Sequence, residues 1–121
     1  MSMQDYRKLQ VWNRSHLLVL DLYKIVNQFP KEEQFGLISQ IKRASSSIPA
    51  NIAEGCGRNS NKDFAQFLNI SLGSLNEVTY FILLAKDLNY INIEEYSKLT
   101  DECNEIKAML IGLINKIRTS A

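Results

Sequence analysis

The residue best equipped by type for chemistry is Cys56, a thiol set between Gly55 and Gly57 where a helical pattern breaks, with the sole histidine, His16, as the available base. A cysteine and a histidine together can attack an acyl centre once the thiol ionises. Position argues against that here. The glycines mark the C-terminal end of a helix, whose dipole raises a thiol's pKa, whereas a reactive thiolate sits at an N-terminus or beside a cation. Arg58 is the cation nearby, and the Gly-x-Ser-x-Gly strand-to-helix setting is missing. Glu54 and Glu77 suggest a di-metal bundle site, but that chemistry uses Glu-x-x-His pairs, and none occurs. Cys56 and Cys103 stand outside any Cys-x-x-Cys spacing, so no zinc or haem site assembles. Gly55 and Gly57 lead into polar residues without Gly-Lys-Ser/Thr, so they make no phosphate loop. The residues therefore call for no catalytic group, metal or cofactor, and the chain reads as a non-enzyme.

A second pattern is better suited to recognition. Gln40, Arg43, Ser47, Asn51, Glu54 and Arg58 recur at steps of three and four, opposite the apolar positions of the same segment, with Lys62 just beyond. Such a stripe suits a specific polar interface with a partner or another subunit. It equally suits a solvated face on which Arg43, Glu54 and Arg58 pair loosely. For nucleic acid, the cations Arg7, Lys8, Arg43, Arg58 and Lys62 offer phosphate contacts. No aromatic platform lies within the stripe, so sequence-specific reading of a single strand is not expected.

The elements that must position these residues follow from periodicity. From about 7 to 28, Leu9, Trp12, His16, Val19, Tyr23 and Val26 form one helical face, and Val11, Leu18, Leu22 and Ile25 a second beside it, a wide stripe that suits more than one neighbour. His16 on this face reads as a packed or interfacial histidine. Phe29-Pro30 ends the helix, and the next starts at once with Glu32 and Glu33 near its positive end, spanning about 31–56. Its face is Phe35, Ile38, Ile41, Ser45, Ile48, Ile52 and Cys56. Pro49 should kink it, with hydroxyls at Ser45, Ser46 and Ser47 available to the groups this frees. Gly55 and Gly57 supply the stop.

A third helix, about 62–88, carries Phe64, Leu68, Ser71, Leu75, Val78, Ile82 and Ala85 on one face and Phe67, Ser74, Phe81 and Leu88 on another. Gly73 and Ser74 in its middle imply close approach of another backbone, because a mid-helix glycine costs about 1 kcal/mol against alanine. Ser74-x-x-Glu77 matches a capping box but lies in a helix interior. The fourth, about 94–118, opens on Glu94 and Glu95 and repeats Tyr96, Leu99, Cys103, Ile106, Leu110, Leu113 and Ile117 in heptads. Short connections make neighbours antiparallel, so the expected architecture is an all-α, up-down-up-down four-helix bundle in a single domain, 1–121.

Composition agrees. A chain of 121 residues that is 45% hydrophobic and 22% charged supports one buried core without disulfide or metal. The near-neutral total hides an asymmetry: nine basic residues against five acidic up to Lys62, then five against eight. The halves can therefore attract each other, within or between subunits. The start has no signal-peptide core, and the longest apolar run, Tyr80 to Ala85, is far short of the roughly 20 residues of a membrane span. A reducing cytoplasm with free thiols and no membrane partner is expected.

Several blocks resemble one family. Tyr6-Arg7-x-Leu9-x-Val11-Trp12, Phe29-Pro30, the run from Phe35 to Ala44, Ser47-Ile48-Pro49-Ala50-Asn51-Ile52-Ala53-Glu54-Gly55-x-Gly57-Arg58, and Leu72-Gly73-Ser74-Leu75-x-Glu77 are similar to the 23S ribosomal RNA intervening-sequence proteins of bacteria. The resemblance implies a bundle that assembles into a ring, a homopentamer, and carries no catalytic residues. It also implies likeness in fold to the basic accessory protein of diversity-generating retroelements, which binds a reverse transcriptase and nucleic acid; the near-neutral charge here departs from it. The expected function is an oligomeric adaptor or scaffold whose partner is RNA, DNA or a nucleoprotein. The alternative is a purely structural ring that consumes the stripe in subunit contacts.

Overall fold

The computed structural model describes residues 5–120. Four helices carry it: α1 Gln10–Ile25, α2 Leu37–Cys56, α3 Asn61–Asp87 and α4 Ile93–Thr119, with no strand among the described residues. Their directions follow from which residues meet. Arg43 reaches Glu77, Ser47 meets Ser74 and Gly55 abuts Phe64, so α3 runs backwards along α2. Arg14 reaches Glu105 while Gln28 reaches Glu95, so α4 runs backwards along α1. Asn61 meets Ile117 while Lys86 lies over Tyr96, which makes α3 and α4 antiparallel too. α1 and α3 each pack on both α2 and α4, so they occupy opposite corners.

One apolar core fills the space between them, with Leu18, Leu22, Ile41, Ile48, Ile52, Phe64, Leu68, Leu75, Ile106 and Leu110 sealed from solvent. Each such side chain contributes about 1.5–3 kcal/mol through burial. The α3 face read from periodicity is buried at every position from Phe64 to Ala85. On α4, Leu99, Cys103, Ile106, Leu110 and Ile117 are buried, with Tyr96 and Leu113 at the margin.

Local chemistry sets the helix ends. Ser60 accepts from the Asp63 amide at 3.1 Å to open α3. Asn92 and Glu95 form a reciprocal capping box that opens α4 at Ile93, one residue before the two glutamates alone indicated. The connection before it turns through Asn89 in the left-handed region, which asparagine tolerates.

Several expectations are corrected. The first helix is interrupted: a 3-10 turn at Tyr6–Lys8 leads through extended Leu9 into α1, and a second 3-10 turn, Val26–Gln28, follows it. The more deeply buried α1 series is Val11, Leu18 and Leu22; Trp12 and His16 are half-buried and Tyr23 is exposed. The second helix does not start at Pro30. Lys31–Glu33 is a separate 3-10 turn and α2 begins at Leu37, so the α2 periodicity never reaches Phe35, which is 91% exposed. As expected, α2 runs on through Pro49, which is buried; the expected use of the serine hydroxyls is what changes. The hydroxyls of Ser45 and Ser46 bond the carbonyls of Lys42 and Arg43, a turn before the Ser45 carbonyl that Pro49 deprives of a donor.

The close-packing glycine is also a different one. A Cβ on Gly73 would meet nothing within 4 Å, so no neighbouring backbone approaches it within the subunit. Gly55, read as a helix stop, is buried in the last turn of α2, where a Cβ would stand 2.8 Å from Phe64 Cδ1 and 3.0 Å from Phe67 Cβ. Its missing side chain lets α2 and α3 meet at that end. Gly57 alone occupies the C-cap, at a φ of −86° that other residues adopt.

Candidate functional site

Burial decides against the thiols. Cys56 is 1% exposed, and desolvation, with the Asp5 carboxylate second, holds its pKa above the ordinary value. Burial pushes the Cys103 thiol up to about 12. A thiol in either setting stays protonated near neutral pH and is a poor nucleophile. His16 stacks on the Trp12 indole with centroids 5.0 Å apart and planes 12° apart, and Tyr6 tilts against the same indole at 4.9 Å. The packed-histidine reading therefore takes the form of an aromatic cluster that docks the N-terminal turn. Glu54 and Glu77 go to separate arginines, and no group of three His, Cys, Asp or Glu side chains that could hold a metal occurs among the described residues.

The polar stripe is gathered along the groove between α2 and α3, and α3 answers it at Arg43, Ser47 and Arg58. At one end Arg43 donates to Gln40 Oε1 at 3.0 Å on its own helix and to Glu77 Oε2 at 2.6 Å on α3. In the middle the Ser47 and Ser74 hydroxyls are hydrogen-bonded at 2.9 Å, and Asn51 Nδ2 donates to the Ser47 carbonyl at 2.8 Å and hydroxyl at 2.9 Å. At the other end Arg58 pairs with Glu54 at 2.8 Å and lies over the Phe67 ring at 4.7 Å. Beneath this line the buried Ser71 hydroxyl donates at 2.8 Å to the carbonyl of Ile48, the residue immediately before Pro49.

Ser71, Ser74 and Glu77 are each named by the sequence, on a helix face, at a close-packing position and as a carboxylate, but their pairing with α2 is what reading by motif missed. The signal was present: they recur at steps of three along α3, from the buried face at Ser71 toward its edge at Glu77, and match α2 in reverse order. The misplaced capping-box pattern, Ser74-x-x-Glu77, is explained by these two cross-helix bonds.

Two further groups have shifted acidities. Glu33 accepts the Leu37 amide at 3.1 Å, capping α2 from the preceding turn, and the Tyr90 hydroxyl at 2.8 Å; these bonds hold its carboxyl below the ordinary value. A Cβ on Gly36 would stand 2.8 Å from Glu33 Oε1, so the glycine leaves room for this cap. Glu102 on α4 is shifted the opposite way, first by burial and then by the Asp21 carboxylate of α1.

The cations separate into two levels of the bundle. Arg43 is committed to Glu77, away from the others. Arg7 and Lys8 in the N-terminal turn, and Arg58 and Lys62 around the α2–α3 turn, share one end, and the fold adds Lys116 and Arg118 from the last turn of α4. Arg118 and Lys62 line one cleft of about 380 Å³ with Asn61 and Gln66. The attraction expected between the two halves of the chain takes the form of exposed pairs, Arg43 with Glu77 and Arg14 with Glu105.

The surface also keeps apolar side chains. α3 holds an 18-residue window of mean hydropathy 1.3 of which only 28% is buried, and by length and composition alone this helix could cross a membrane. Its packing between α2 and α4, with Ser71, Ser74 and Glu77 bonded to α2, makes it a bundle helix with an apolar outer face at Ile70, Tyr80 and Leu83. On the opposite corner α1 exposes Leu17, Leu20 and Tyr23.

Comparison with known proteins gives two results. A family model described as 23S rRNA-intervening sequence protein matches residues 7–112. A crystal structure of a protein of unknown function from the S23 ribosomal protein family of Bacteroides thetaiotaomicron is similar, with 34% sequence identity, a TM-score of 0.76, and coverage of 86% of this chain and 97% of that one. Comparison with curated proteins yields no match.

Proposed function

The chain belongs to the 23S rRNA-intervening sequence protein family, and on that premise we propose that it is a non-enzymatic adaptor or scaffold that works as a closed ring of identical subunits. The observation that carries this reading is the pair of exposed apolar faces on opposite corners of the bundle, Leu17, Leu20 and Tyr23 on α1 and Ile70, Tyr80 and Leu83 on α3. A single apolar patch would favour a two-fold dimer. Two different patches facing opposite ways favour head-to-tail contact, in which the α1 face of one copy meets the α3 face of the next; such contacts make a ring when the rotation between neighbours closes and an open filament when it does not. Gly73, open on the outer side of α3, leaves room for that approach. A pentamer is the expected closure.

The alternative, a ring that uses the polar stripe between subunits, has less support. The stripe's polar groups are paired within the subunit, along α2 or across to α3, and Glu54 is held by Arg58, so Glu54→Ala should leave the assembly mass unchanged. The deciding experiment is native mass measurement of Leu20→Glu, Tyr80→Glu and their mixture. Each variant alone should be monomeric, and the mixture should form a dimer through the one intact pair of faces. A variant that stays fully assembled would remove the reading.

A further inference from the structure

We propose that the end of the bundle built from the N-terminal turn, the α2–α3 turn and the last turn of α4 binds the phosphate backbone of a nucleic acid. This names the partner of the adaptor proposed above and so rests on that reading for its role, although the surface is complete on one subunit.

Charge is unevenly distributed along the bundle. Arg7, Lys8, Arg58, Lys62, Lys116 and Arg118 gather at this end against Asp5, Glu54 and Asp63. At the opposite end Glu32, Glu33, Asp87, Glu94 and Glu95 outnumber the cations. A nearly neutral chain is therefore polarised along the bundle axis. Lys116 and Arg118 come from the acidic half of the sequence, so the concentration of cations exists only in the folded molecule. Arg7 and Arg58 have local carboxylate partners, Asp5 at 3.1 Å and Glu54 at 2.8 Å. Lys8, Lys62, Lys116 and Arg118 form no ion pair among the described residues and are exposed.

The distribution selects the ligand. Helices packed 8–10 Å apart give a bundle end roughly 20 Å across. A duplex strand presents a phosphate about every 3.4 Å along its axis, so on the order of six phosphates cross such a surface. Cations from three separate segments suit a repeating polyanion of that length better than one focused anion. Asn59, Gln66, Asn115 and Thr119 lie exposed among them, uncharged donors of the kind that position phosphate oxygens. Tyr6 and Trp12 are packed on each other and half-buried, and Phe67 is half-buried beneath Arg58. Among the described residues of this end no exposed ring is offered for base stacking, so binding is expected to be tolerant of sequence.

The test is fluorescence anisotropy of the intact protein with a labelled RNA hairpin and a labelled DNA duplex of about 20 nucleotides each, against poly-glutamate, between about 50 and 200 mM salt. Both nucleic acids should bind at the low end and lose roughly a hundredfold in affinity across the range if about four phosphates are neutralised. Lys62→Glu with Arg118→Glu should weaken binding by at least about tenfold, whereas Lys24→Glu with Lys31→Glu, an equal charge change at the other end, should leave it within about twofold. No retention at low salt, equal binding of poly-glutamate, or equal loss in both double variants would each overturn the proposal. Assembly mass, recorded for every variant, separates the two readings: monomers that still bind keep the phosphate surface and remove the ring, and intact rings that do not bind do the reverse.

Discussion

The α2–α3 and α1–α4 seams join antiparallel helices around the same core and solve the contact in opposite ways. Between α2 and α3, Gly55 lets Phe64 and Phe67 close in, and the polar groups are matched: Ser71 to Ile48, Ser47 to Ser74, Arg43 to Glu77. Between α1 and α4, charged residues line open clefts, one of about 280 Å³ beside Asp21, Lys24, Glu95 and Lys98, another of about 290 Å³ beside Arg14, Asp21 and Glu102. Small, neutral, hydrogen-bonded side chains permit close approach and leave nothing buried without a partner. Long charged ones hold helices apart and keep water between them. The first seam should therefore resist substitution poorly and pH well, and the second the reverse.

The largest expected effect tests the tightness of the first seam. Gly55→Ala should lose up to about 2 kcal/mol, since overpacking costs about 1–3 kcal/mol and helix propensity returns about 1. Denaturant unfolding measures this, and a stabilised variant would refute close packing there. The control, Gly73→Ala, should gain about 0.5–1 kcal/mol within the subunit because its Cβ meets only open space.

Next, Ser71→Ala should cost about 1 kcal/mol by deleting the buried bond to the Ile48 carbonyl. Equal stability in thermal unfolding would show that the helical bond at that carbonyl suffices alone.

Smaller, and of opposite sign, is the effect of Glu102→Gln. The folded pKa of Glu102 is raised by burial and by Asp21, so ionising it disfavours folding once the pH exceeds the ordinary carboxylate value of 4.5. The variant should melt higher than wild type at pH 7, with the difference vanishing toward pH 4. Glu33 runs the other way: its pKa is lowered, so its contribution is present above 4.5 and fades as pH falls through the folded value. Glu33→Gln should melt lower at pH 7 and converge with wild type near pH 3. A pair of melting curves without this opposition would contradict the assigned environments.

The smallest effect is expected from Arg14→Ala on the α1–α4 seam, at most about 0.5 kcal/mol and reduced by salt, since its bond to Glu105 is exposed. A loss above about 1 kcal/mol would make the two seams alike in rigidity.

Much of the fold was legible because burial imposes a period. The α3 series from Phe64 to Ala85 and the α4 heptads can be read without knowing what they pack against, since an apolar side chain recurring at three and four has only one side of a helix to occupy. The stripe on α2 was legible in the same way, as a line of residues. Its target was not, because periodicity orients a side chain on its own helix and says nothing of the neighbour. Phe35 misled for a related reason: it keeps the spacing of the α2 face, but Glu33 caps the helix two residues later, and the spacing has no meaning outside the helix. Gly55 misled because a glycine beside a helix end is usually a stop. Its place in line with Ile48 and Ile52 marked it as inward-facing.

By itself, then, the amino-acid sequence determined the class of fold, the core faces and the balance of charge, all properties that accumulate along one chain segment at a time. The tertiary structure decided which glycine sits at a helix contact, that the α2 stripe is answered by Ser74 and Glu77, and that Lys116 and Arg118 join Arg7, Lys8, Arg58 and Lys62 at one end. Those facts depend on distances between residues far apart in sequence, and only the packing of four antiparallel helices sets them.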